Sequence, residues 1–147
     1  MIGKFLLLTL FGIAMAHVEG VVVVYLRKAL GILEPESNKE LLGEFNKRYI
    51  NIERTREAAT IVMLIILSFL VGETLFDKVV IFFWTFAVWD LFYYASLYVL
   101  IKWPPNLKTT DVLFLIPRPW IAPVWVPIGI SLATIILIII FYIFKLF

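Results

Sequence analysis

The sequence predicts an all-α fold, a polytopic integral membrane protein built as an antiparallel bundle of four transmembrane helices, and three observations carry that prediction. Apolar residues make up 63% of the 147-residue chain, well above the roughly 45 to 50% typical of soluble domains. Four apolar runs, at about 4–26, 58–76, 78–101 and 120–144, approach or exceed the ~20 residues that cross a hydrocarbon core. The charges between them fall in a few short stretches, which leaves room for one domain over 1–147.

The first run begins like a secretory signal. Lys4, the apolar stretch from Phe5 to Ile13 and the Ala14-Met15-Ala16 triplet imitate an A-x-A cleavage site. The apolar run continues through Val21 to Leu26, so a retained span is predicted. On that helix Gly12, Ala16 and Gly20 form a stripe of small residues that lets a neighbour approach closely, as in a homodimer or a larger membrane complex. Glu19 borders the stripe, and His17 lies roughly 160° around the helix from it at 100° per residue. The two therefore address different neighbours.

Between the first two spans, Ser37-Asn38-Lys39-Glu40 reads as a capping box, and Leu41, Leu42, Phe45, Tyr49 and Ile52 recur at helical spacing. An amphipathic cytoplasmic helix over 38–56 is expected, either lying in the interface or running on into the second span. On the second span Glu57, Ser68 and Gly72 share a face, with Glu53 one turn earlier. Pairing of Glu53 and Glu57 with Arg54, Arg56 or Arg118 at the membrane surface is the structural reading of those acids. A tight turn around Asp77 and Lys78 makes the second and third spans antiparallel neighbours.

The third span carries Asp90, on one face with Ala87, Tyr93, Tyr94 and Leu97. An acid at the bilayer centre costs about 2.5 to 3.5 kcal/mol, so it marks a site of function or a structural hydrogen bond to a tyrosine or indole. Six of the seven prolines fall in the next stretch and the start of the fourth span, between residues 104 and 127, and forbid one regular helix. Asp111 opens an apolar hexapeptide there as an N-cap candidate, giving a short irregular or re-entrant turn with Trp103, Trp120 and Trp125 at headgroup depth. Pro123, Pro127, Ser131 and Thr134 align on the fourth span. The runs WDLFYY and FLIPRPWIAPVW are distinctive, yet neither matches a motif with a known mechanism.

Orientation follows from charge. The 27–56 and 102–118 loops hold ten of the thirteen Lys and Arg residues, so the positive-inside rule puts both loops in the cytoplasm and both termini outside. Nothing in the chain interleaves basic runs with exposed aromatics, which argues against nucleic acid as a partner.

The chemistry is bounded by what is missing. With no cysteine there is no iron–sulfur cluster, and one histidine supplies at most one axial haem ligand. Asp90, Glu19 and His17 are hard ligands suited to a divalent metal, although the di-iron Glu-x-x-His pair is lacking. Three function classes follow. In the first, an intramembrane enzyme or ligand-binding protein acts on a lipid-like substrate from the cytoplasmic leaflet. Asp90, Glu19, His17 and Glu57 are its catalytic candidates, and Tyr93, Tyr94, Arg54, Arg56, Asp111, Arg118 and Trp120 bind substrate, the arginines holding an anionic headgroup. The second is a proton-coupled transporter or ion pathway through Asp90 and Glu19, and the third a non-catalytic subunit of a larger membrane complex.

Overall fold

The computed structural model describes residues 2–29 and 47–144. These residues are mostly helical: α1 (Ile2–Ala29), α2 (Lys47–Val71), α3 (Leu75–Ile101), a two-stranded hairpin of β1 (Thr110–Phe114) and β2 (Trp120–Pro123), then α4 (Trp125–Ile143). Among the described residues, two helical stretches, Ile2–Lys28 and Trp125–Ile143, are long and apolar enough to cross a membrane.

Helix α3 is the hub, with the other three helices packed against it. Its register with α1 is parallel. Trp84 Nε1 donates to Thr9 Oγ1 at 3.1 Å, Gly12 faces Val88, Gly20 faces Ser96, and Arg27 lies over the Trp103 ring. Helices α2 and α4 run the other way. Lys4 at the start of α1 reaches the carbonyl of Val71 at the end of α2, while Phe76 early in α3 stacks on Phe141 late in α4.

The small-residue stripe is what allows α1 to sit so near α3. A Cβ on Gly12 would lie 2.8 Å from Val88 Cγ1, and one on Gly20 would lie 3.1 Å from Ser96 Cβ. Ala16 between them is fully buried. The stripe thus packs against α3 of the same chain.

The turn between α2 and α3 lies earlier than expected. Helix α2 stops at Val71, Gly72 N–H closes onto Ser68 O at 2.9 Å, and a Cβ on Gly72 would fall within 2.8 Å of Lys78 N and Ser68 O. Thr74 then caps α3: its hydroxyl accepts from Asp77 N–H at 3.1 Å, and Asp77 accepts from Thr74 N–H at 3.2 Å. Asp77 belongs to the first turn of α3 and not to the turn itself, a reciprocal cap that satisfies two orphan donors.

The Pro-rich stretch differs most from expectation. Thr110↔Pro123, Asp111↔Ala122, Val112↔Ile121 and Phe114↔Trp120 pair antiparallel, with a bulge between Val112 and Phe114. Asp111 thus sits in a strand and caps no helix, and residues 120–123 are strand where the fourth span was expected to begin. Prolines tolerated at strand ends and turns explain the choice: Pro117 and Pro119 occupy the connection, Pro123 closes β2, and only Pro127 lies in the first turn of α4. Trp103 is likewise no headgroup anchor, being 2% exposed in a cluster with Tyr94, Leu97 and Val124. Trp120 and Trp125 are exposed.

The capping box at 37–40 and the apolar positions Leu41, Leu42 and Phe45 lie outside the described residues. From Lys47 onward the chain is one helix with the second apolar run.

Candidate functional site

The C-terminal half of α1, the N-terminal half of α2, the C-terminal half of α3 and strand β1 meet around a cavity of about 130 Å³. Parallel packing of α1 on α3, with α2 reversed, puts all four of those segments at one end of the bundle. That places Glu19, Glu57, Asp90 and Asp111 in one wall system with Arg27, Arg56, Tyr93 and Tyr94.

The acids draw on different partners, with Arg56 shared by two of them. Glu19, on the edge of the stripe, is 8% exposed; its Oε1 accepts from Thr60 Oγ1 at 2.9 Å and its Oε2 accepts from Arg56 Nη1. Arg56 also donates through Nε and Nη2 to Glu53 Oε2 at 2.9 and 2.8 Å. One guanidinium therefore clamps two carboxylates, the planar bidentate use for which arginine is suited. Glu57, expected to pair with an arginine, instead accepts the backbone N–H groups of Leu115 at 2.8 Å and Ile116 at 3.0 Å. It tethers the end of β1 to α2.

Asp90 is partly buried, and Ser131 of α4 donates to its Oδ2 at 2.7 Å. Of the tyrosine or indole partners considered for Asp90, Tyr94 is used elsewhere: it donates to Asp111 Oδ2 at 2.9 Å. Asp111 Oδ1 accepts its neighbour's N–H from Val112 at 2.9 Å. Burial pushes the Asp111 carboxyl above its ordinary range, with the charge of Arg27 and the Tyr94 hydroxyl acting against that shift.

Four expected site residues stay outside. Arg54 donates to Leu115 O at 3.3 Å and steadies the hairpin from the far side, while Arg118 and Trp120 are exposed and do not line the cavity. His17 is exposed, its Nδ1 3.4 Å from Ser96 Oγ. The candidate metal trio of Asp90, Glu19 and His17 therefore does not converge, because the helical twist that separates His17 from Glu19 is kept. Among the described residues no three His, Asp or Glu side chains form a group fit for a metal ion.

Residues that sequence reasoning did not assign to the site complete it. Arg27 is 5% exposed, with its guanidinium 4.0 Å from the centre of the Trp103 ring. Thr60 anchors Glu19. Trp89 lines the cavity, and its buried indole N–H has no hydrogen-bond partner among the described residues. A signal for one of these existed: Trp89 belongs to the WDLFYY run. Chemically, the cavity offers acid and base groups and aromatic side chains around a space of about 130 Å³.

No protein-family model, curated protein or solved structure matches the chain.

Proposed function

We propose that the chain is a four-span membrane protein whose cavity opens to the cytoplasmic leaflet, binds a small lipid-like ligand and acts on it through Asp90 as acid or base. The observation that carries this reading is the cavity itself. Four sequence-distant segments converge on a space that is walled by carboxylates and aromatic rings, among them Trp89, whose buried indole N–H has no partner among the described residues. Structural polar clusters satisfy nearly all of their members, since a buried donor left without a partner costs about 1 to 3 kcal/mol.

The four-span arrangement is supported by the alternating helix directions and by what the outer surface presents. Leu7 and Leu10 on α1, Ile66 and Leu70 on α2, Phe83 on α3 and Leu137 on α4 are all exposed, a spread of apolar surface that water would penalise and lipid would not. The excess of Lys and Arg in the 27–56 and 102–118 segments supports an orientation with the cavity end in the cytoplasm and both termini outside. Asp90 is assigned the reacting role because its hydrogen-bonded partner is a neutral hydroxyl, whereas Glu19, Glu53 and Glu57 are tied to a guanidinium or to backbone amides.

Mass spectrometry of the gently purified protein and of Asp90→Asn tests the reading. The expected result is a small molecule that accompanies the wild type and is lost from a variant that still inserts with full helicity. A wild type that carries nothing, beside an Asp90→Asn protein that fails to fold, would assign the cluster to structure.

A further inference from the structure

The charge balance of the cavity narrows what it can hold. Its described walls include five carboxylates, from Glu19, Glu53, Glu57, Asp90 and Asp111, against the two guanidiniums of Arg27 and Arg56. Both guanidiniums are already engaged. Arg56 is shared by Glu19 and Glu53, and Arg27 lies over Trp103 while opposing the charge of Asp111. With Asp111 protonated, four carboxylates still face two cations, so an anionic ligand meets net repulsion in a desolvated space.

The rest of the wall is aromatic. Trp89, Tyr93, Tyr94 and Phe114 all line the cavity, and ring faces beside a carboxylate form the arrangement that receives ammonium groups through their quadrupoles. The Trp89 indole N–H is buried without a partner among the described residues, and a rotation of the indole toward the cavity would let one acceptor on the same ligand satisfy it.

Resting on the ligand-site reading above, we infer that the ligand is an organic ammonium compound that also carries a hydrogen-bond acceptor, its cation toward Asp90 and the aromatic wall and its acceptor toward Trp89. This replaces the anionic headgroup expected from the sequence, for which Arg54 and Arg118 are on the wrong side of the wall and Arg56 is committed.

Three probes separate the terms on the full chain in detergent micelles, read by calorimetry. Choline supplies the cation and an acceptor hydroxyl; 3,3-dimethylbutan-1-ol keeps the shape and hydroxyl without the charge; inorganic phosphate supplies the opposite charge. Choline is expected to bind about tenfold or more tightly than its neutral isostere, Asp90→Asn to erase that preference, and Trp89→Phe to weaken choline while leaving the preference in place. The Trp89→Phe arm keeps the test decisive where Asp90→Asn does not fold. Equal binding of the isostere, or tighter binding of phosphate, with either response sensitive to Trp89→Phe, overturns the cationic ligand while the cavity remains a binding site. Binding of none of the three overturns the inference and the ligand-site reading together.

Discussion

Replacing Glu57 with alanine should release the hairpin from α2 without unfolding the bundle. The carboxylate accepts two successive backbone N–H groups, from Leu115 at 2.8 Å and from Ile116 at 3.0 Å. Hydrogen bonds to a charged group contribute about 1.5 to 3 kcal/mol each when shielded and less when wet. The Leu115 bond is partly buried and the Ile116 bond exposed, so the pair is worth about 2 kcal/mol together. That corresponds to roughly a 30-fold rise in the open population of the hairpin. Amide hydrogen exchange over residues 110–123 measures it directly, and the increase should be confined to the hairpin because Tyr94–Asp111 and Arg54–Leu115 remain. Glu57→Gln, which keeps one acceptor but turns an amide NH₂ toward the second donor, should fall between the two. Hairpin exchange within about threefold of wild type, or an equal rise through α1 and α4, would refute the tether.

Three further outcomes are expected. Gly12→Ala should lower stability by about 1 to 3 kcal/mol in thermal or denaturant unfolding, since its Cβ meets Val88 at 2.8 Å, whereas Gly129→Ala, with open space around it, should not. Arg56→Met should destabilise by about 2 to 3 kcal/mol, the low end for a buried pair because the Arg56 side chain is 31% exposed, and Glu19→Gln in the same chain should restore part of that in a double-mutant cycle. Asp111, whose carboxyl is raised by burial, binds its proton more tightly folded than unfolded. The contribution of Asp111 to hairpin protection should therefore be full in acid and be lost as pH climbs from about 4 through the raised value. In Asp111→Asn that decline should vanish from the exchange profile, with Arg27, Tyr94 and Asp90 unchanged around the position.

Much of the helical frame is legible in the sequence because long apolar runs have few alternatives. The Ser131 and Asp90 stripes were readable for the same reason, as periodicity alone brings each to an inward face. Gly12, Ala16 and Gly20 were correctly recognised as a close-approach surface, but small residues say nothing about whose helix arrives, and the answer was α3 of the same chain. The Thr74 cap was available in principle, since Thr-x-x-Asp places a side-chain acceptor at each end of the box. The hairpin was not, because a short apolar run bounded by prolines fits a helical turn and a strand equally well. Trp103, Trp89 and Arg27 were hidden by a different ambiguity: amphipathic side chains suit an interface and a core alike, and only tertiary packing decides.

The Glu19–Arg56–Thr60 contact also sets an order of events during synthesis. The partners of Glu19 lie 37 and 41 residues later in the chain, so a ribosome working at 5 to 20 residues per second delivers them roughly 2 to 8 s after the glutamate. In the four-span arrangement, α1 spends that interval with an unmatched acid, a poor candidate for release into lipid on its own. With four spans as proposed, the first helix would wait beside the insertion machinery for the second, and α1 and α2 would enter the bilayer as a pair.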